Sequence, residues 1–199
     1  MREATTVSTP EAAAALGFPP MLTAIGDPSL LREPLVAVLC SKRCPGNLVL
    51  QAYDLAVALR DSGVPTIGGF HTPVERECLD FLLRGHQPVV ICPARGITGM
   101  RLPADWRAAV EQERLLVVSP FPGTIRRPTA GTSEQRNRLV VALASKVLVI
   151  HANPGGRTEA LVHHAGDLGK PTYALADPAN AHLPAVGVSA SDLQRLTAV

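Results

Sequence analysis

Apolar residues in this chain gather in short unbroken runs, and between those runs they recur at helical spacing. The runs "PLVAVLC" (Pro34 to Cys40), "VPTIGG" (Val64 to Gly69), "PVVICPA" (Pro88 to Ala94), "RLLVVSPF" (Arg114 to Phe121), "KVLVIHA" (Lys146 to Ala152) and "KPTYALA" (Lys170 to Ala176) read as strands buried on both faces. In "NLVLQAYDLAVALRDSG", Leu48, Ala52, Leu55, Ala56 and Leu59 share one helical face, and Gly63 closes the helix. "TPVERECLDFLLRG" carries its own start signal: Thr72 as N-cap, Pro73 at the first position and Glu75 at the third form a capping box. Further helices are expected over "ADWRAAVEQE", "EQRNRLVVALA" and "RTEALVHHAGDLG". Continuous apolar strands alternating with helices predict a doubly wound α/β domain, a mostly parallel Rossmann-like sheet with helices on both faces. That domain is expected over residues 21–199, behind an N-terminal extension over 1–20 whose one helical piece is "PEAAAALG".

In such a sheet, ligands sit beyond the carboxyl ends of the strands, where helix N-termini offer N–H groups and partial positive charge to anions. The loops expected there carry Ser41-Lys42-Arg43, Gly68-Gly69-Phe70-His71, Arg95 beside Gly96, and Gly155-Gly156-Arg157-Thr158. They hold neither paired carboxylates nor a Ser-His-Asp order, so the chemistry they suggest is phosphate recognition. Arg136-Asn137-Arg138, expected at the start of the helix before "KVLVIHA", would project toward the same rim. Arginine suits that role because its planar fork donates two hydrogen bonds to one phosphate. Gly68, Gly69, Gly155 and Gly156 would allow close backbone approach, and Phe70 or His71 could stack on a base. Taken alone, Arg136 and Arg138 read first as surface partners of Glu134 or Asp105, and only their place on the same sheet edge as the other loops favours a phosphate role.

A net charge of +2 and a pI near 8.5 fall short of a wholly basic surface, so any anion site must be local. With 46% hydrophobic residues the chain can bury a sizeable core. No apolar run reaches about 18 residues, which argues against a secretory signal or membrane span and for the cytoplasm. Cys40, Cys44, Cys78 and Cys92 read as buried thiols, because Cys40-x3-Cys44 has no partner pair at zinc-site spacing. No carboxylate cluster calls for magnesium, and neither a metal nor a cofactor is expected.

"MLTAIGDPSLLREPLVAVLCSKRCPG", "TIGGFHTPVERECLDFLLRG" and "SEQRNRLVVALASKVLVIHANPGGRTEALVHHAGDLGKPTYAL" together resemble the DNA-processing protein A (DprA/Smf) family. The resemblance runs from about Met21 to about Leu175, and the Arg-Asn-Arg block is its most specific part. Cys40-Ser41-Lys42-Arg43 keeps the family's serine and a basic residue but not its glycine. In the next loop, threonine stands for the family's arginine and Glu75 for its aspartate. The chain looks like a stand-alone core without the winged-helix-like domain of many members. The resemblance implies single-stranded DNA as ligand, a homodimer, and a recombinase to which DNA is handed.

"NPGGRTEAL" is also similar to the Pro-Gly-Gly-x-Gly-Thr-x-x-Glu motif of the lysine-decarboxylase-like phosphoribohydrolases, though it lacks the second glycine. That kinship implies an enzyme releasing the base from a nucleoside monophosphate, with Arg138 and Glu159 in the catalytic roles. Two classes are therefore expected: a non-catalytic module for single-stranded DNA or a nucleotide phosphate, and a nucleotide hydrolase. A sensor of a nucleotide signal would use the same sheet edge.

Overall fold

Strand β3 (Val36–Cys40) is buried along its whole length, with Val36, Val38 and Cys40 in one apolar cluster and Ala37 and Leu39 in another. Alternate side chains of a strand point to opposite faces, so the sheet is covered on both sides. The computed structural model describes residues 4–192 and joins their strands into one sheet. The others are β1 (Thr5–Ser8), β2 (Met21–Gly26), β4 (Thr66–Gly68), β5 (Val89–Ile91), β6 (Leu115–Ser119), β7 (Lys146–His151), β8 (Thr172–Leu175) and β9 (Val186–Val188). Their order is β1-β2-β6-β5-β4-β3-β7-β8-β9. From β3 to β9 all neighbours are parallel, while β2 joins β6, and β1 joins β2, antiparallel.

Helices α2 (Gly46–Asp61), α3 (Pro73–Leu82) and α4 (Ala104–Glu111) pack against one face. The other face takes α1 (Glu11–Ala14), α5 (Ala130–Leu143) and α6 (Arg157–Asp167). On α2 the buried residues are Leu48, Ala52, Leu55, Ala56 and Leu59, the face expected from the spacing. Each leucine so buried contributes roughly 1.5–3 kcal/mol over exposure. Thr72 and Glu75 form the expected capping box at the start of α3.

Three features depart from the expectation. The first twenty residues contribute β1 to the sheet edge, and α1 buries Ala13 against α5. β2 and β9 lengthen the sheet beyond the six strands expected. Helix α5 starts at Ala130, not near Glu134, because Thr129 supplies an N-cap: its hydroxyl accepts from the Thr132 N–H at 3.1 Å. Arg136 and Arg138 consequently lie in the second and third turns, beyond the first-turn N–H groups that would face an anion.

Candidate functional site at the switch point

From β3 the chain builds outward through β4, β5 and β6 on one side, and from β7 through β8 and β9 on the other. The crevice between the carboxyl ends of β3 and β7 is therefore the topological switch point, where loops diverge and leave room for a ligand. A cavity of about 340 Å³ opens there, and its walls include Ser41, Lys42, His71, Asn137, Arg157 and Thr158. All six belong to the residues the sequence singled out. Gly156 lies in the same wall.

Beneath the cavity a set of buried polar groups holds the loops in place. Ser41 is buried; its hydroxyl donates to Thr158 Oγ1 at 3.0 Å and accepts from the Asn153 N–H at 3.1 Å, tying the β3 loop to the β7 loop. Glu75, only 3% exposed, accepts from the Cys40 N–H at 2.9 Å with Oε1. Its Oε2 accepts from the N–H groups of His71 at 3.0 Å and Thr72 at 3.3 Å. One carboxylate thus fixes the ends of β3 and β4 together. His151 at the end of β7 is also buried, its ring between Asn180 Oδ1 at 3.1 Å and Asn153 Oδ1 at 3.2 Å.

Arg136 is 1% exposed, so it is a buried cation and not a surface ion-pair partner. Its guanidinium donates to the Cys92 carbonyl at 2.9 Å, to Asn137 Oδ1 at 2.7 Å and to His71 Nδ1 at 2.9 Å. His71 Nδ1 also lies 3.2 Å from Glu75 Oε2. Nδ1 thus lies between a guanidinium, which can only donate, and a carboxylate, which can only accept: without a proton it accepts from Arg136, and with one it donates to Glu75. Burial pushes the Arg136 pKa down, and the Glu75 carboxylate pulls it back toward the charged form. For Glu75, burial alone raises the pKa; the His71 side chain and the N–H groups of His71 and Cys40 more than offset it, leaving the carboxyl below the usual range.

Gly69 is required by this arrangement, since a Cβ there would lie 1.8 Å from Arg136 Nη1. Gly68 similarly faces the Phe70 ring, with a Cβ placed 2.9 Å from its Cζ. Both glycines therefore make room for the protein's own side chains, which corrects the expectation that they admit a ligand. Phe70, at φ 45, turns inward and is 6% exposed, so it offers no face for a base. His71, with 48% of its side chain exposed, does.

A family model for DNA recombination-mediator protein A matches residues 9–188. The chain belongs to that family. No curated protein matches the sequence. DNA processing protein A from Helicobacter pylori, solved for its single-stranded DNA binding mode, is similar at TM-score 0.72 and 21% identity, over 98% of this chain and 90% of its own. DNA processing protein A from Streptococcus pneumoniae is similar at TM-score 0.78 and 18% identity, over 96% of this chain and 74% of its own. A molybdenum cofactor binding protein from Rippkaea orientalis shares the fold at TM-score 0.57 and 15% identity, covering 83% of this chain and 95% of that one. The doubly wound, Rossmann-like architecture of this family member is thus that of solved relatives.

The Arg-Asn-Arg block does not clasp one anion. Residues two apart on a helix point about 200° apart, so Arg136 faces inward and Arg138 outward. Arg138 is exposed beside a separate recess lined by Leu16, Phe18 and His164. Glu159, its partner in the phosphoribohydrolase reading, accepts from the Gly155 N–H at 2.5 Å and approaches His182 at 3.8 Å. Among the described residues no hydrogen bond, ion pair or shared cavity wall joins the two. Arg95 also leaves the group and lines a cleft between the loops after β5 and β6. Arg43 is exposed beside Lys42 but not in the cavity wall. Glu75 entered the sequence reading as a helix cap and a family difference; only the fold shows that it organises three loop N–H groups. Among the described residues no three His, Cys, Asp or Glu gather as metal ligands, and no helix is long and apolar enough to cross a membrane.

Proposed function

We propose that the switch-point cavity binds the phosphates of single-stranded DNA and catalyses no reaction on them. The observation that carries this reading is the pairing of two exposed cations, Lys42 and Arg157, with the N-terminus of α6, which has no side-chain cap. The first N–H groups of a helix lack intrahelical partners and favour an anion. The one carboxylate in the cavity wall, Glu75, has both oxygens engaged by backbone N–H groups, so it is poorly placed for acid–base work. The likeness to the Helicobacter pylori protein, described as binding single-stranded DNA, supports the choice of ligand. Under this reading Asn137, Thr158 and the exposed His71 ring add polar and stacking contacts, Arg43 reaches the strand outside the cavity, and Ser41 positions Thr158. The homodimer and the recombinase partner implied by family resemblance stand as further proposals, checked by sedimentation with and without DNA.

The deciding experiment is fluorescence anisotropy of a labelled single-stranded oligonucleotide over a range of salt concentrations. Lys42→Ala/Arg157→Ala is expected to weaken binding and to flatten the log–log salt slope by about 0.7 for each lost phosphate contact. An unchanged slope in the double variant would move the strand off this cavity.

A further inference from the structure

The cleft that holds Arg95 is built, not incidental. The Gly96 N–H donates to the Ile125 carbonyl at 2.8 Å, the Ile125 N–H to the Pro122 carbonyl at 3.0 Å, and the Ser119 hydroxyl to the Arg95 carbonyl at 2.7 Å. Gly96 lies so close to the neighbouring loop that a Cβ would meet the Pro122 carbonyl oxygen at 2.3 Å. The loops after β5 and β6 are thereby stapled into one rigid cradle. Around it Arg95, Arg101 and Arg126 line an open cleft of about 880 Å³ that has no carboxylate in its wall. Among the described residues no side-chain hydrogen bond or ion pair engages any of the three guanidinium groups. Three like charges around one cleft repel one another unless an anion joins them.

Thr98, Gly99, Met100 and Arg101 form a wall common to this cleft and to a second recess of about 370 Å³. The recess is lined mainly by apolar side chains, among them Ile25, Met100, Leu102 and Val110, with Arg107 and one carboxylate, Glu111. A recess with an apolar wall, adjoining a carboxylate-free arginine cleft, matches the two halves of a nucleotide. The planar forks of arginine bind phosphate oxygens two at a time, and the recess excludes water from the faces of a base.

We propose that these two recesses form a nucleotide-binding subsite separate from the switch point, with phosphates on Arg95, Arg101 and Arg126 and the base against Met100 and Leu102. The subsite does not depend on the switch-point reading. Its nucleotide is either free or a unit of a strand held at both places. Strand spacing alone puts the loops after β5 and β6 about 10–15 Å from the end of β3, a gap that a continuing strand can cross.

The test is calorimetric titration of the whole chain with three probes: adenosine triphosphate, a short thymidine oligonucleotide and a long one. The variants are Arg101→Ala/Arg126→Ala, Met100→Trp to fill the recess, and Lys42→Ala/Arg157→Ala as the switch-point control, each checked for folding by circular dichroism. Triphosphate binding that both subsite variants weaken about tenfold, and the control does not, identifies a free-nucleotide subsite. If the triphosphate does not bind but the subsite variants weaken the long oligonucleotide about tenfold, the nucleotide belongs to a strand. Unchanged affinity of both subsite variants for every probe overturns the proposal; if the control still loses the long oligonucleotide, the switch-point reading survives alone. Absence of binding to all three probes by the unmodified chain overturns both.

Discussion

Two regions on the same edge of the sheet use their charges in opposite ways. At the switch point, Arg136 and Glu75 are buried, and their hydrogen-bonding groups are engaged by Cys92, His71, Asn137, Cys40 and Thr72. Between the loops after β5 and β6, Arg95, Arg101 and Arg126 surround a cleft with no partner at all among the described residues. A buried charge survives only when its surroundings satisfy it, and it then holds loops; a bare cluster of like charges is stable only because water or an anion screens it. The first arrangement holds loops in place, and the second leaves three guanidinium groups open to an anion. At the switch point an outer layer of exposed side chains, Lys42, Arg157 and His71, lies above a polar floor whose groups bond to one another.

The sharpest way to break that comparison is Arg136→Ala. Removing one member of a buried charge set leaves the other uncompensated, so unfolding in urea should show a loss of about 3–5 kcal/mol. A variant as stable as the unmodified chain, with weakened oligonucleotide binding, would instead make Arg136 a ligand contact and dissolve the distinction. For the same reason the affinity of an Arg136 variant cannot locate the DNA site unless its stability is measured beside it.

The dependence on pH sharpens the same contrast. The Glu75 carboxyl is held below its usual range in the folded protein, so its contribution to stability is present above about pH 4.3 and is lost as pH falls through the lower folded value. Stability measured in urea from about pH 5 to about pH 3 should therefore fall, and Glu75→Gln should flatten part of that fall. An identical pH profile in the variant would mean that the carboxylate is not held in its charged form by the His71 side chain and the N–H groups of His71 and Cys40.

Much of this was readable in the sequence, for reasons that also explain what was not. The six central strands are continuous apolar runs because both their faces are covered, and such runs stand out. β1, at the open edge, has no buried position, and β2 beside it mixes exposed with buried ones, so no run marks either. The loops after β3 and β7 were found because topology sends them to one place. Arg136 stands three, four and seven residues before Leu139, Val140 and Leu143, the apolar stripe of α5, but an arginine is rarely buried, so its place in that stripe does not announce its burial. Residue type alone makes Phe70 a stacking candidate; its inward turn at φ 45 follows from local backbone geometry that no spacing encodes.

Arg138→Ala carries the smallest expected effect and says most about the motif. If the three residues acted as a unit, removing the second arginine would weaken DNA binding about as much as removing a phosphate contact elsewhere. The helix instead turns Arg138 to the outer face, beside Leu16, Phe18 and His164 and apart from the switch-point cavity. An exposed side chain with no hydrogen bond or ion pair among the described residues should cost within about 0.5 kcal/mol when truncated. Oligonucleotide affinity and its salt slope should both stay as they are in the unmodified chain. A slope lower by about 0.7 in this single variant would bring the strand across the outer face of α5 and restore the triplet as one binding element.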